Sequence, residues 1–194
     1  MSFINPREKE INCKVAYYGA PFTGKSTTLR YLYEKVSHSD RGKMVTLSGE
    51  EDGSLFFDFL PLLLGKVKGY TIRFQLYSVP GQVIYNSARS IILKGIDGVV
   101  FVVDSRIERV DENLESWKSL QKNLKNHDVD FKTIPLALQY NKRDLKDILP
   151  ISDLQGLFNP ENKYPTFETV ATKGTMVLEC FQSMAKNILG ELKK

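Results

Sequence analysis

Two cysteines, two histidines and one tryptophan are all that 194 residues offer of the side chains that most often build cross-links, metal clusters and stacking platforms. Cys13 and Cys180 cannot make a disulfide framework, and such sparse use of cysteine fits a reducing interior. His38 and His127 lie in polar stretches with no second His, Cys or carboxylate at ligand spacing, which argues against a zinc-type site. No segment approaches about 18 uninterrupted apolar residues, so no bilayer-spanning helix is expected. The opening MSFINPREKE lacks the apolar centre of a signal peptide, residue two is Ser rather than an acylatable Gly, and the closing ELKK carries no prenylation box. A cytoplasmic protein with no direct membrane anchor is expected. Charge of one sign is scarce too: 27 Lys and Arg against 23 Asp and Glu leave +4, too little to argue for nucleic acid as a partner. Neither a repeat nor a low-complexity linker interrupts the chain, and its length suits one domain over residues 1–194.

What the chain has is an alternation of strand-like and helix-like segments, the pattern of an α/β domain. INCKVAYYG (11–19) reads as a strand and Gly24 through Val36 as a helix with Leu29, Leu32 and Tyr33 on one face. LFFDFLPL (55–62) and GYTIRFQLYSV (69–79) read as strands of an antiparallel hairpin joined through LLGKVKGY. A short helix beyond Gly81 is expected to turn Ala88, Ile91 and Ile92 inward and to stop at Gly95. GVVFVVD (98–104) and IPLALQYNK (134–142) have the continuous apolar character of central parallel strands, and TFETVA (166–171) is a shorter one. Helices are expected over 110–126 and from about 175 to 192. The pattern predicts a doubly wound sheet with helices on both faces.

The first chemical motif is Gly19-Ala20-Pro21-Phe22-Thr23-Gly24-Lys25-Ser26, which fits GxxxxGK[ST] between a strand and a helix. Glycines let backbone N–H groups wrap phosphate oxygens, and the helix N-terminus adds a positive field. Lys25 would reach the terminal phosphates and Ser26 would ligate Mg²⁺, with Thr27 completing the turn. The second motif, Asn141-Lys142-Arg143-Asp144, follows a buried strand at the carboxyl edge of the sheet, where ligands bind in open α/β folds. The Asp144 carboxylate can accept both N1–H and N2–H of guanine, a donor pair adenine lacks. Asn141 would tie this loop to the phosphate loop, and the Lys142 stem can lie along the base.

With Pro80-Gly81-Gln82 and Glu168-Thr169-Val170-Ala171-Thr172 added, the set resembles a small GTPase of the Ras superfamily. The resemblance narrows to the MglA group of bacterial gliding-motility and cell-polarity GTPases through LFFDFLPL, Tyr77-Ser78-Val79-Pro80-Gly81-Gln82 and Gly95-Ile96-Asp97-Gly98. It covers Ile11 to Leu192. It implies a Ras-like P-loop fold, mostly parallel with one antiparallel hairpin, and GTP/GDP switching with Mg²⁺. It also implies a Roadblock/LC7-type (MglB-like) regulator and effectors at residues 50–60 and 78–90. Gly81, Ala171 and Thr172 would join the nucleotide site, with the Ala171 N–H offered to guanine O6. Gln82 matches the glutamine that orients the attacking water, beside Lys25 as the second catalytic group. Ser54 stands at the effector-loop hydroxyl expected on the metal.

Two departures bear on chemistry. Ser78 replaces the Asp of DxxG, and a hydroxyl is a poorer Mg²⁺ partner than a carboxylate. Asp58 would supply the charge through water, unless it is an outward-facing residue on a hairpin strand. Gly53 occupies the place where MglA-like proteins carry an arginine, and Pro21-Phe22 replaces small residues facing the γ-phosphate. Arg41 and Arg73 are nearby replacements, both poorly placed. Slow intrinsic hydrolysis is therefore expected, and a nucleotide-stabilised pseudo-GTPase stands as the alternative. An ATP-using kinase is disfavoured by the NKRD motif.

Overall fold

The computed structural model describes residues 3–48, 55–81 and 86–191. Its eight strands are β1 (Phe3–Asn5), β2 (Glu10–Tyr18), β3 (Val45–Ser48), β4 (Leu55–Val67), β5 (Tyr70–Ser78), β6 (Gly98–Asp104), β7 (Leu136–Asn141) and β8 (Thr166–Glu168). They form one sheet in the order β3-β4-β5-β2-β6-β7-β8, with β1 paired to the start of β2. From β5 to β8 every pairing is parallel. The hairpin partners β4 and β5 run antiparallel, as expected, and β1 and β3 also attach antiparallel. The helices are α1 (Lys25–Lys35), α2 (Asn86–Leu93), α3 (Val110–Lys125), α4 (Ile151–Phe158) and α5 (Val177–Glu191).

Each strand's side-chain period decides which core it feeds. In β5 the residues Ile72, Phe74, Leu76 and Ser78 turn to the face covered by α1 and α5, where Leu29, Leu32, Phe181 and Met184 meet them. Phe101, Val103 and Tyr140 point the other way, into a second core with Trp117 and Leu120 of α3 and Phe158 of α4. Every residue of β6 is buried, which makes its unbroken apolar run a central strand. Each fully buried leucine or phenylalanine here contributes about 1.5–3 kcal/mol relative to exposure. These two cores hold the carboxyl ends of β2, β6 and β7 rigidly side by side.

Three local readings change. The segment between the hairpin strands is itself strand, because β4 continues through Gly65 and turns only at Lys68-Gly69, with a register shift between Leu63 and Lys66. Ile91, expected inside, is 74% exposed. The inner face of α2 is taken by Ile92, Leu93 and Arg89, which are buried at helical spacing. Finally, α4, β1 and β3 join elements that periodicity alone did not separate from loop. In α4 the apolar residues Ile151, Leu154, Leu157 and Phe158 do recur at helical spacing, but the element is only eight residues long and carries Gly156 within it. No helix among the described residues is long and apolar enough to cross a membrane.

Candidate functional site

The loop from Gly19 to Gly24 leaves β2 and enters α1 under tight steric constraint. Gly19 has φ 154, and a Cβ there would stand 2.3 Å from the Val102 carbonyl oxygen, so the main chain runs against β6. Gly24, with φ 104, would place a Cβ 2.2 Å from Asn141 Nδ2. Phe22 takes the left-handed conformation without being glycine (φ 63), and its ring is 79% exposed. No side chain caps the N-terminus of α1 and no acid occupies its first turn. The positive end of the helix therefore faces the loop with no acidic side chain in its first turn to offset it. Ser26 and Thr27 stand half-buried in that first turn.

Lys25 is buried, and its Nζ donates to the carbonyls of Gly19 (2.9 Å) and Ala20 (2.7 Å). Burial, and then the charge of Arg89, lower its pKa to about 7. A lysine so destabilised as a cation, at an uncapped helix start, suits a polyanion that would restore its charge.

Asn141, at the end of β7, clasps three loops. Its Nδ2 donates to the Thr23 carbonyl (2.7 Å), and its Oδ1 accepts from Thr169 Oγ1 and from the Ala171 N–H, both at 3.0 Å. The phosphate loop, the NKRD turn and the 169–172 loop are thus brought together as the sequence implied. The Ala171 amide, expected to face a base oxygen, here donates to Asn141; Thr172 beside it is exposed. Asp144 pairs with Lys173 across the same gap (3.2 Å). The Lys142 ammonium is drawn to Asp104 (2.7 Å), which also pairs with Arg106 (2.9 Å). Burial opposes ionisation of Asp104, but hydrogen bonds from Arg106 and Lys142 outweigh it and hold the carboxyl below its ordinary range.

On the sheet face that α1 covers, Thr46, Asp58 and Ser78 stand abreast on β3, β4 and β5. Asp58 is fully buried; its carboxylate accepts from Thr46 Oγ1 (2.8 Å) and Ser78 Oγ (3.0 Å), and its N–H donates to Ser78 Oγ (2.7 Å). The outward-facing alternative for Asp58 is excluded. No cation pairs with this carboxylate among the described residues, so its only neutralising partners are hydroxyls. That donor set of one carboxylate and small hydroxyls fits a hard divalent cation. Gly53, Ser54 and Gln82 lie outside the described residues.

Neither proposed replacement arginine reaches this edge. Arg41 stacks on Tyr33, 3.9 Å from the ring centroid, and Arg73 pairs with Glu10 at 2.7 Å. Sequence reasoning missed two arginines that do. Arg109 donates to the Pro21 carbonyl (3.0 Å), and Arg89, on α2, reaches the carbonyls of Pro80 and Gly81. Arg89 was detectable, because it falls on the inner stripe of α2 with Ile92 and Leu93. A groove of about 870 Å³ lined by Thr133, Ile134, Lys163, Phe181 and Ala185 opens at the opposite, amino end of the strands and holds none of these groups.

Comparison with known proteins agrees with this geometry. Residues 57–190 match the Ras family. The mutual gliding-motility protein MglA of Myxococcus xanthus is 48% identical over 194 residues, covering 100% of this chain and 99% of that one. The Ras-related proteins Rab-11B of Dictyostelium discoideum and Rab-7b of Bos taurus are 31% and 27% identical, covering 96% and 98% of this chain and 78% and 88% of theirs. With both cores, the phosphate loop and the NKRD turn accounted for, the chain belongs to the Ras family as an MglA-like small GTPase, an enzyme that binds and hydrolyses GTP.

Proposed function

We propose that this GTPase is a molecular switch of cell polarity or motility, bound by effectors in its GTP state and slow to hydrolyse GTP without a partner. The observation that carries the nucleotide assignment is the Asn141 clasp, which joins the phosphate loop to both base-side loops in one hydrogen-bonded unit. In this reading Gly19 to Thr27 hold the phosphates, Asp144 reads the guanine N1–H and N2–H, and Gln82 orients water. Lys25 turns from the Gly19 and Ala20 carbonyls to the terminal phosphates. Ser26 and Ser54 would hold Mg²⁺, with Asp58 or Ser78 reaching it through water; the buried carboxylate of Asp58, paired with no cation among the described residues, supports this. Bound there, Mg²⁺ supplies charge neutralisation of the phosphate oxygens.

The slow turnover rests on Gly53, which has no cation to offer, and on the engagement of Arg41 and Arg73 elsewhere, while Arg89 and Arg109 are bonded to main-chain carbonyls. A Roadblock/LC7-type regulator acting on residues 50–60 and 78–90 would then set the rate. The gliding-motility name of the Myxococcus relative supports the cellular assignment.

Thermal protection tests the site. GTP and GDP should each stabilise the protein by about 2.7 kcal/mol at a hundredfold excess over Kd, and ATP should not. Asp144→Asn should move the preference to a xanthine nucleotide, and omitting Mg²⁺ should weaken GTP protection more than GDP protection. Equal protection by ATP would overturn the guanine assignment.

A further inference from the structure

Arg89 is the most buried arginine of the molecule's carboxyl edge and has no carboxylate partner among the described residues. Its side chain is 3% exposed. Nε donates to the Pro80 carbonyl (2.8 Å) and Nη2 to the Gly81 carbonyl; Nη1 reaches Ser119 Oγ (3.2 Å) and Tyr18 Oη (3.5 Å). The guanidinium lies 5.7 Å from the centroid of the Tyr18 ring. A buried cation held only by neutral acceptors is costly, and it persists where its hydrogen bonds fix something that matters.

What it fixes is the path of two residues. Val79 still follows the sheet, its N–H donating to the Tyr17 carbonyl (2.9 Å). Pro80 and Gly81 then leave the sheet and cross the phosphate loop. A Cβ on Gly81 would stand 2.5 Å from Pro21 N, 2.7 Å from Pro21 Cα and 2.8 Å from the Ala20 carbonyl carbon. The Gly81 main chain is thus in contact with Ala20-Pro21, the stretch of the loop over which the last phosphate of a triphosphate must sit if Lys25 is to reach it. Lys25 meanwhile turns to the carbonyls of Gly19 and Ala20.

We propose that Arg89 is a latch, a positioning residue that holds Pro80-Gly81 down on the phosphate loop and so sets the preference between guanosine di- and triphosphate. The proposal rests on the guanine-nucleotide reading above. A diphosphate leaves Gly81 in place. A third phosphate must lift it, which breaks the two carbonyl bonds to Arg89. Arg89 makes no contact with substrate in this role; it acts through the main chain of Pro80 and Gly81.

Equilibrium affinities for GDP and for a non-hydrolysable GTP analogue, at one fixed Mg²⁺ concentration, test the latch. Arg89→Met should shift the affinity ratio toward the triphosphate by about five- to tenfold, with GDP affinity nearly unchanged. Arg89→Lys, able to hold one carbonyl, should fall between wild type and Arg89→Met. Ser119→Ala trims only the Nη1 end and should shift the ratio in the same direction by about two- to threefold, a result that stands even where Arg89→Met fails to fold. An unchanged ratio in Ser119→Ala and Arg89→Lys would make Arg89 a purely structural arginine and overturn the latch. A shift toward the diphosphate would overturn it as well, by assigning Arg89 to the triphosphate state. Wild type that binds neither nucleotide would overturn the site assignment itself, an outcome distinct from either.

Discussion

The proposed base side and phosphate side of the site are built by opposite means. On the base side, side chains anchored in strands hold loops: Asn141 on β7 binds Thr23, Thr169 and Ala171, and Asp104 on β6 binds Lys142 and Arg106. On the phosphate side, one arginine from an eight-residue helix holds the carbonyls of Pro80 and Gly81. The first arrangement is anchored in core strands. The second is released by breaking the bonds of one side chain. A switch needs this asymmetry, because base recognition must be common to both nucleotide states while phosphate contacts must differ.

The largest effect should come from breaking the rigid side. Asn141→Ala removes three buried hydrogen bonds, leaving the Ala171 N–H and the Thr23 carbonyl without this partner and Thr169 Oγ1 with only its longer bond to the Tyr140 carbonyl (3.4 Å). The loss in unfolding free energy should reach about 2–4 kcal/mol, read from the denaturant midpoint with the slope unchanged. Guanine nucleotide affinity should fall at the same time, since all three loops lose their common tie. A variant as stable as wild type would mean that the loops are held by the sheet alone, and the contrast between the two sides would collapse.

Much of the rigid side was legible in the sequence because strand and motif coincide there. The run GVVFVVD places Asp104 at a strand end, LALQYN places Asn141 one strand over, and adjacency brings Lys142 to Asp104. The phosphate side was harder to read. Arg89 acts on main-chain atoms, and no motif encodes a side chain whose partners are two carbonyls. Its one signal was position on the buried stripe of α2, masked by the expectation that Ile91 faced inward. Asp58 shows the intermediate case. Alternation with Leu60 and Leu62 predicts an inward carboxylate, but only the register of β4 against β5 brings it to Ser78.

A smaller effect separates charge from shape on the base side. Hydrogen bonds from Arg106 and Lys142 hold the Asp104 carboxyl below the ordinary aspartate range, so between its folded and unfolded pKa values the unfolded chain binds more protons. Its contribution is therefore complete above the unfolded value and is lost as pH falls through the folded one. Asp104→Asn should cost about 1–3 kcal/mol at neutral pH. The gap between variant and wild type should close in acid titrations below the ordinary aspartate pKa. A gap constant across that range would mean that Asp104 acts through its shape and hydrogen-bond geometry rather than its charge.

The smallest effect tests whether the phosphate side carries strain by design. Phe22 sits at the apex of the phosphate loop with φ 63, a conformation that costs a non-glycine residue about 1–2 kcal/mol, and its ring is 79% exposed. Burial contributes almost nothing in return. Phe22→Gly removes the backbone penalty but adds about 0.5–1 kcal/mol of unfolded-state entropy. The net should be a gain of about 0.5 kcal/mol, seen as a small rise in thermal midpoint of the protein without nucleotide. If the ring serves nothing, GDP and GTP affinities should stay within about twofold of wild type. A gain in stability accompanied by weaker binding of either nucleotide would instead mark Phe22 as a residue whose strain is retained for the site. The phosphate side would then contain two such devices, a strained aromatic on the loop and a buried arginine above it, where the base side has one left-handed non-glycine residue among its ties, Lys142 (φ 65).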